Sequence, residues 1–244
     1  MDAAGERASA SNLGAETPRS GEAAQSARYV AIITDGNGRW ARQHGVSVAA
    51  GHNAGADTVK ARLRDAVELG VRELTVYSFS TENWSRPASE VKALMRMFSR
   101  RIKSETPELS DEGVRMRFIG RREGVSAPLA RQMDWAEAET AGNDRITLFV
   151  AFNYGGRAEI LDAARRFAGG DEDEFRALLY APEMHDPDLI IRTSGEQRLS
   201  NYLLWQSAYS ELIFRDELWP DFTRQAFEES LAAYGGRRRR YGGR

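Results

Sequence analysis

Short apolar runs alternate with longer amphipathic stretches along most of this chain. Five of the runs are rich in β-branched and aromatic residues, which predicts a β-strand at each of them. The predicted strands are Tyr29–Ile33, Leu74–Phe79, Val114–Ile119, Ile146–Phe152 and Leu189–Ile191. Several of these runs are apolar without interruption, a pattern typical of strands that are covered on both faces.

The stretches between the strands repeat apolar residues at the spacing of an α-helix. The first predicted helix covers Asp57–Leu69 and ends at Gly70, a residue favoured just after a helix. The second begins near Pro87, which suits a first helical turn. Further helical patterns cover about 127–140, 156–167 and 224–234. Strands that alternate with helices predict βαβ units, so the expected fold is α/β with a mainly parallel central sheet flanked by helices.

The composition is compatible with a single domain. The chain has 244 residues, of which 41% are hydrophobic, enough for one fair-sized core. Residues 1–27 are mostly Ala, Gly, Ser and charged side chains, so we expect this segment to be disordered and residues 28–244 to form the domain. No apolar run approaches the roughly 20 residues that span a bilayer, which predicts a soluble or peripheral protein. The chain has no Cys, which agrees with a reducing cytoplasm.

The charge of the chain argues against nucleic acid as a partner. There are 34 basic and 36 acidic residues, a net charge of −2, whereas nucleic-acid binders commonly present a strongly basic surface. Basic residues do cluster near the C-terminus, in Arg237–Arg240 and at Arg244. This tail is either a solvated end or a binder of an anionic surface or a phosphate.

In parallel sheets, ligands bind beyond the carboxyl ends of the strands. After the first strand the chain reads Thr34-Asp-Gly-Asn-Gly-Arg-Trp40. Backbone N–H groups of such a loop can converge on an anion, Asp35 could hold a hard cation such as Mg²⁺, and Arg39 could bind phosphate oxygens. Asp-Gly and Asn-Gly are also frequent hairpin turns, although the residues that follow do not alternate as a returning strand would. The loop matches neither the P-loop nor the dinucleotide-binding pattern, which disfavours a nucleotide.

Two further segments near predicted helix starts carry candidate ligands. Gly51-His52 lies just before the predicted helix at Asp57, where the imidazole is either structural or in contact with an anion. After the second strand, the segment from Ser80 to Arg86 combines hydroxyl, carboxylate, amide, indole and guanidinium groups. This mixture indicates either a reactive loop or a capped turn on which Trp84 packs.

A second set of anion-binding groups follows the fifth predicted strand. Its members are Arg192, Ser194, Arg198 and Ser200, which surround Gly195. Arginine side chains match phosphate oxygens well, so two separate sets indicate two phosphorylated substrates. Glu211 comes after an apolar and aromatic run over residues 201–209, and a carboxylate in such surroundings needs a cation or an arginine as its partner.

These same segments resemble the cis-prenyltransferases, the family of undecaprenyl diphosphate synthase. The resemblance covers the chain from about Tyr29 to the C-terminus, and its motifs are long and stand in the order of the family. The matching segments are residues 30–40, 51–52, 79–84, 86–87, 153–157, 191–200, 203–206, 209, 211, 218–222 and the Arg-Tyr-Gly-Gly that ends at Gly243.

The resemblance implies a condensation of two isoprenoid diphosphates. An allylic diphosphate, such as farnesyl or geranyl diphosphate, loses its diphosphate, isopentenyl diphosphate attacks the allylic carbon, and loss of a proton leaves a cis double bond. Mg²⁺ is the implied cofactor, because it neutralises diphosphate charge. The implied function is therefore that of a Mg²⁺-dependent cis-prenyltransferase. The alternative is a non-catalytic partner subunit of the same fold, which has no need of Asp35, Arg192 or Arg198.

The resemblance also implies roles for individual residues of this chain. Asp35 is implied as the catalytic metal ligand, Asn83 as the position of proton removal and Glu211 as the second metal ligand. The allylic diphosphate is assigned to Gly36, Asn37, Gly38, Arg39, Trp40 and His52. The reacting centre is assigned to Ser80, Thr81, Glu82, Trp84 and Arg86. Isopentenyl diphosphate is assigned to Arg192, Arg198, Leu199 and Ser200.

Further expectations from the resemblance concern assembly and location. The family fold contains an apolar product tunnel and is typically a homodimer, in which the C-terminal Arg-x-Gly, here Arg240–Gly242, reaches a neighbour's active site. We expect a cytoplasmic protein that contacts the inner face of the membrane through its product. Two residues depart from the family pattern: Gln197 stands where a His is usual, and Val48 stands where an Arg is usual.

Overall fold

The computed structural model describes residues 26–237. The strands of this part are β1 (Tyr29–Ile33), β2 (Glu73–Ser80), β3 (Val114–Ile119), β4 (Ile146–Tyr154), β5 (Leu189–Arg192) and β6 (Glu211–Phe214). All six are parallel and form one sheet in the order β3-β4-β2-β1-β5-β6, which confirms the predicted α/β class. Disorder is expected for residues 1–27, of which residues 1–25 lie outside the described part, as do Arg240–Gly242. Ala27, at the end of that segment, is 1% exposed and packs in the core.

Within residues 26–237, seven α-helices flank the sheet. They are α1 (Asn37–Gln43), α2 (Val48–Glu68), α3 (Ala88–Asp111), α4 (Ala127–Glu139), α5 (Gly156–Ala164), α6 (Glu172–Arg176) and α7 (Arg224–Gly235). Short 3-10 helices cover Thr81–Ser85 and Trp219–Asp221. None of the helices in this part of the chain combines the length and the apolar character that crossing a membrane requires.

The position of β1 explains why its sequence is apolar throughout. Alternate side chains of a strand point to opposite faces of the sheet, and both faces of β1 are covered. Ile32 packs in a core cluster with Leu63 of α2, and Ile33 packs in a second cluster with Tyr202. Ile32 and Ile33 are at most 5% exposed, and burial of a side chain of this size stabilises the fold by about 1.5–3 kcal/mol.

One helix was not predicted from the sequence pattern, and another begins earlier than predicted. α1 occupies residues predicted as a loop, which excludes the hairpin-turn alternative. α2 begins at Val48 instead of near Asp57, and Ser47 caps it by accepting a hydrogen bond from the Ala50 N–H. His52 therefore lies inside α2, not before it.

The first turns of α2 contain glycine because α1 crosses them closely. A Cβ at Gly51 would lie 2.4 Å from the carbonyl oxygen of Asn37, and a Cβ at Gly55 would lie 2.2 Å from Asn37 Oδ1. Only glycine permits this approach without a shift of Asn37. Since glycine and alanine contribute no apolar periodicity, the pattern could not reveal this part of the helix.

The sequence pattern also fails to predict β6. Its four residues are too few for a clear period, and they follow a run of apolar and aromatic side chains. β6 lies at the edge of the described sheet and pairs with β5, with Glu211 opposite Leu189. This register places Glu211 at the amino end of the strands.

Candidate active site

The carboxyl ends of β1, β2 and β5 meet at one edge of the sheet. Because β1 lies between the other two and all are parallel, the segments that follow them surround a common cleft. The cleft is lined by Ile33, Thr34, Asp35, Tyr77, Ser80, Glu82, Asn83, Arg192, Ser200 and Asn201. The segments that follow β1, β2 and β5, which we call the first, second and third junctions, therefore contribute to one site.

Asp35 joins the first of these junctions to the third. Its Oδ2 accepts hydrogen bonds from Arg192 Nη2 at 3.0 Å and from Arg39 Nη2 at 3.2 Å. The Thr193 hydroxyl holds its backbone, donating to the Asp35 carbonyl at 2.7 Å and accepting from its N–H at 3.1 Å. Burial by itself would raise the pKa of Asp35, but hydrogen bonds from Arg192 and Ser194 and the two arginine charges outweigh burial and lower it. The carboxylate is therefore ionised at neutral pH.

Arg192 brings a buried charge to the cleft. Its side chain is 5% exposed, and its Nη1 donates to Ser200 Oγ at 2.6 Å and to the carbonyl of Arg198. Within the described chain its carboxylate partner is Asp35, which it shares with Arg39. Its Nε is buried without a hydrogen-bond partner among the described residues. A buried guanidinium with an unused donor suits an incoming phosphate oxygen.

Helix α1 begins beside the cleft and directs its first N–H groups outward from its N-terminus. Gly36 has a φ of 116°, and a Cβ there would lie 3.0 Å from Leu218, so the backbone conformation and the contact both require glycine. The N–H groups of Asn37, Gly38 and Arg39 fall in the first turn, where no intrahelical acceptor exists. The space beside Gly38 is open. This end of α1 is therefore suited to a phosphate group.

The segment after β2 is both a capped turn and a wall of the cleft, so the two alternatives are compatible. The 3-10 helix Thr81–Ser85 is capped by Asn83, whose Oδ1 accepts the Ser80 N–H at 3.0 Å. The indole of Trp84 donates to Asn153 Oδ1 at 2.7 Å. These contacts hold the turn in place against the end of β4.

An apolar channel of about 120 Å³ lies beside the cleft, between α2, α3 and the sheet. Its polar lining includes Thr34, Asn37 and His52, and Thr34 also lines the cleft, so the two cavities adjoin. The apolar walls are formed by Leu63, Val76, Leu94, Met97, Phe98, Ile102, Leu109, Met116, Phe118, Leu148 and Val150. Cleft and channel together suit a ligand with a polar head and an extended apolar tail.

Two buried polar atoms lie in the channel without partners. Among the described residues, neither His52 Nε2 nor Asn37 Oδ1 has a hydrogen-bond partner. The nearest carboxylate oxygen to His52 is Glu90 Oε1 at 3.6 Å, which accepts a hydrogen bond from Arg86 at 3.0 Å. Burial, and then the charge of Arg86, lowers the pKa of His52, so the ring is neutral at neutral pH. Polar atoms left unpaired inside a protein are costly, and the polar part of a ligand would satisfy them here.

Some residues assigned to substrates lie outside the cleft lining. The Trp40 indole donates to Asp221 Oδ1 at 2.8 Å, and its ring stacks on His44 at 4.0 Å between centroids. The side chain of Arg198 is 60% exposed and pairs with Glu196. Leu199 packs against the core cluster that contains Tyr202. The roles of these residues stay predictions.

The structure does not bring Glu211 to Asp35 within one chain. Asp35 follows the carboxyl end of β1, whereas Glu211 lies at the amino end of β6. Glu211 Oε2 instead accepts a hydrogen bond from Arg237 Nη1 at 2.6 Å, so its partner is an arginine. Within residues 26–237 no group of three or more His, Asp or Glu side chains could hold a metal ion. The role of Glu211 as a second metal ligand stays a prediction, and within one chain Glu211 does not lie in the same site as Asp35.

Asn201 is a site residue that the sequence pattern does not identify. It has a left-handed φ of 64°, which asparagine tolerates better than most residues. Its Nδ2 donates to Glu82 Oε1 at 2.8 Å, and its Oδ1 accepts the Arg157 N–H at 2.8 Å. Asn201 thus ties the third junction to the second and to α5. The available signal was the Ser-Asn pair at 200–201, a combination favoured in turns.

The sequence of this chain is similar to those of known isoprenyl transferases. The family model described as "Putative undecaprenyl diphosphate synthase" matches residues 33–242. The isoprenyl transferase of Thermotoga maritima is 49% identical over 225 residues, which cover 88% of this chain and 97% of the relative. Isoprenyl transferase 2 of Bradyrhizobium diazoefficiens is 45% identical over 244 residues, which cover 96% of this chain and 97% of the relative.

Solved structures show the same fold. Lavandulyl diphosphate synthase from Lavandula x intermedia, solved with dimethylallyl diphosphate, aligns with a TM-score of 0.85 and 33% identity over 89% of this chain and 99% of that chain. A probable undecaprenyl diphosphate synthase from Campylobacter jejuni aligns with a TM-score of 0.78 and 27% identity over 90% of this chain and 100% of that chain. The protein therefore belongs to the undecaprenyl diphosphate synthase family of isoprenyl transferases and is a prenyl transferase.

Proposed function

We propose that this protein is a Mg²⁺-dependent cis-prenyltransferase. It condenses isopentenyl diphosphate with an allylic diphosphate, such as farnesyl or geranyl diphosphate, to give a cis-polyprenyl diphosphate and diphosphate. The observation that carries the proposal is the contact between two cavities: the polar cleft with Asp35 and Arg192 adjoins the apolar channel at Thr34. A substrate with a diphosphate head and an isoprenoid tail needs both.

The two diphosphates bind on opposite sides of Asp35. The allylic diphosphate lies at the N-terminus of α1, beside Arg39 and the neutral His52, with its tail in the channel. Isopentenyl diphosphate lies at Arg192 and Ser200. Support for this arrangement comes from the open N–H groups of α1, from the buried Nε of Arg192 and from the unpartnered atoms in the channel.

In the reaction, the bond between the allylic carbon and the diphosphate oxygen breaks, and the leaving diphosphate takes the electron pair. The double bond of isopentenyl diphosphate attacks that carbon, and a proton is lost to form the new double bond. Arg39 and the N–H groups of α1 stabilise the negative charge that develops on the leaving diphosphate. Asn83, held by the Ser80 N–H, orients the end of isopentenyl diphosphate from which the proton departs.

Asp35 is the residue that would hold Mg²⁺. The ion usually takes one or two carboxylates together with substrate phosphates and water, and Asp35 is an ionised, half-buried carboxylate at the cleft. When bound, Mg²⁺ neutralises diphosphate charge and makes the diphosphate a better leaving group. Arg39 and Arg192, which share the Asp35 carboxylate, would bind diphosphate oxygens beside that carboxylate.

In the same proposal the protein acts as a homodimer in the cytoplasm, at the inner face of the membrane that receives its product. For Glu211 to bind the metal, it has to reach the active site of a second copy of the chain. In its own chain it lies at the amino end of the strands, whereas Asp35 lies beyond their carboxyl ends. Light scattering after size-exclusion chromatography measures the mass. A fully active monomer would contradict this part of the proposal.

The test of the reaction uses the purified protein with radiolabelled isopentenyl diphosphate and, separately, dimethylallyl, geranyl and farnesyl diphosphate. We expect an extractable polyprenyl diphosphate with new cis double bonds, sized by chromatography and assigned by NMR. Chelation of divalent cations should stop its formation, and added Mg²⁺ should restore it. The absence of product with every allylic substrate would instead indicate a non-catalytic partner subunit.

Ser78 lines the apolar channel, so its size should affect product length. We expect Ser78→Leu to shorten the product while the first condensation is retained, because the larger side chain obstructs the growing chain. Ser78→Ala adds no volume and serves as the matched control. Chromatographic sizing of the products makes the comparison, and an unchanged length distribution for Ser78→Leu would place the growing chain elsewhere.

Asn201 should be required for turnover through its contact with Glu82. Burial would raise the pKa of Glu82, but the Asn201 hydrogen bond and its other hydrogen bonds outweigh burial and lower it, so Glu82 is ionised at neutral pH. Asn201→Asp then places two carboxylates together, and we expect a loss of about 10- to 150-fold in kcat/KM, the range for a lost charge-assisted bond. Asn201→Gly keeps the left-handed backbone without the like charge and should lose less.

The pH profile separates this effect from simple structural damage. Repulsion raises the pKa of one carboxyl of the pair in Asn201→Asp, so that carboxyl takes up a proton as the pH falls. The ratio of kcat/KM between Asn201→Asp and Asn201→Gly should therefore rise toward acidic pH. A ratio independent of pH would show that Asn201 does not act on Glu82.

A further inference from the structure

The outer face of α3 carries a row of four exposed cations. They are Lys92, Arg96, Arg100 and Lys103, which we call the α3 basic face. Their spacing of four, four and three residues places them on one side of the helix, over about 16 Å of its length. No position three or four residues from any of them holds Asp or Glu. The sequence of the helix therefore provides no acidic partner for this face.

Neighbouring acids are bound to other cations. Glu90 pairs with Arg86 at 3.0 Å, while Asp57 and Glu105 pair with Arg101 at 2.6 and 2.7 Å. None of the ion pairs formed within residues 26–237 includes a member of the α3 basic face. The positive charge of this face is therefore not neutralised by the described part of the chain.

The α3 basic face borders an outer groove between α2 and α3. Arg96 and Arg100 line this groove, and so do His52, Leu94 and Met97, which also line the apolar channel. On the α2 side, Val48 lines the groove and is 40% exposed, and Val46, two residues before it, is 44% exposed. These two valines are called the Val46–Val48 lip. The row of cations thus lies where the channel approaches the surface.

We propose that the α3 basic face and the Val46–Val48 lip form a docking surface for an anionic lipid bilayer. A bilayer offers many phosphates in one plane, which matches a row of cations along a helix that lies flat, and it accepts two exposed valines at its interface. A single small anion would reach only part of a row about 16 Å long. Docking places the outer groove against the lipid headgroups.

The docking surface has a use that rests on the proposed function. A polyprenyl chain that grows in the channel is apolar, and its transfer through water would be unfavourable. With the groove held against the bilayer, the chain can pass from the channel into lipid. Binding to lipid does not itself depend on the reaction, so the two ideas can be tested separately.

The test measures sedimentation of the full chain with vesicles, without substrate. Vesicles of phosphatidylglycerol mixed with phosphatidylcholine are compared with vesicles of phosphatidylcholine alone. The variant combines Lys92→Gln, Arg96→Gln, Arg100→Gln and Lys103→Gln. The control combines Arg28→Gln, Arg72→Gln, Arg145→Gln and Arg165→Gln, which remove the same charge at exposed positions elsewhere.

We expect the wild type and the control to bind anionic vesicles. The α3 variant should lose about fivefold in partitioning for each of its four cations, so on the order of 600-fold in total. Binding should weaken as salt rises, because the charges are screened. Val46→Ser with Val48→Ser should weaken binding severalfold. Equal binding by the α3 variant and the control, or equal binding of the wild type to both kinds of vesicle, would overturn the proposal.

Two further measurements distinguish loss of lipid binding from loss of folding and from loss of prenyl transfer. Circular dichroism confirms that each variant is folded, and prenyl transfer measured in detergent should be unchanged in the α3 variant, because these side chains are not part of the cleft. A protein that binds vesicles through α3 but makes no product would retain the docking surface and refute the proposed function. If the four substitutions abolished RNA binding but not vesicle binding, the surface would belong to nucleic acid and the proposal would be wrong.

Discussion

Asp35→Ala is expected to reduce kcat by on the order of 10³-fold or more, the effect of removing a principal charge-stabilising element. Its carboxylate is ionised, lines the cleft and lies within 3.2 Å of both Arg39 and Arg192. Without it, the proposed cation has no protein ligand at this point of the site. The guanidinium groups of Arg39 and Arg192 also lose the carboxylate that fixes their positions relative to each other.

The fold should survive this substitution. Arg192 keeps its hydrogen bonds to Ser200 and to the carbonyl of Arg198, and Thr193 keeps its contacts with the backbone of residue 35. Asp35→Asn is the matched variant, since it retains the shape but not the charge, and it should be nearly as inactive. The measurements are kcat in saturating Mg²⁺ and the Tm by circular dichroism. Activity within tenfold of the wild type would refute the role of Asp35.

Arg192→Ala is expected to raise the KM for isopentenyl diphosphate by roughly 30- to 5000-fold. Truncation of one partner of a buried, hydrogen-bonded charge pair costs about 2–5 kcal/mol, and Arg192 is 5% exposed. Arg192→Lys restores the charge but not the planar fork. It cannot contact Asp35, Ser200 and the Arg198 carbonyl together, so it should recover only part of the loss.

Arg198→Ala provides the comparison within the same segment. Arg198 is 60% exposed, so the contact with substrate predicted for it would form at the rim of the cleft, and its loss should raise the same KM by roughly 10- to 150-fold. The KM for the allylic substrate should change little in either variant. Steady-state kinetics with each substrate varied in turn measures both constants. A change confined to the allylic KM would mean that the two diphosphate sites are assigned the wrong way round.

Much of the fold was predictable because its signals are local. The bounds predicted for β1 and β3 agree with the structure. β1 is an apolar run that ends before Thr34, and β3 alternates apolar residues with Arg115 and Arg117 between Gly113 and Gly120. α3 was predicted from Pro87 and its apolar period, and it begins one residue later, at Ala88. The start of α2 was missed because Gly51 and Gly55 serve a contact with α1, and such a contact leaves no periodic trace.

The sequence by itself determined the class of fold and the segments that carry the chemistry, because strand and turn signals depend on neighbouring residues. The meeting of three strand ends could also be expected, since parallel strands end at one edge. Only the tertiary structure decided which side chains pair. Asp35 and Arg192 are 157 residues apart, and Glu82 and Asn201 are 119 apart. Such partners depend on strand order and register, which local sequence does not encode, and the same register separates Glu211 from Asp35.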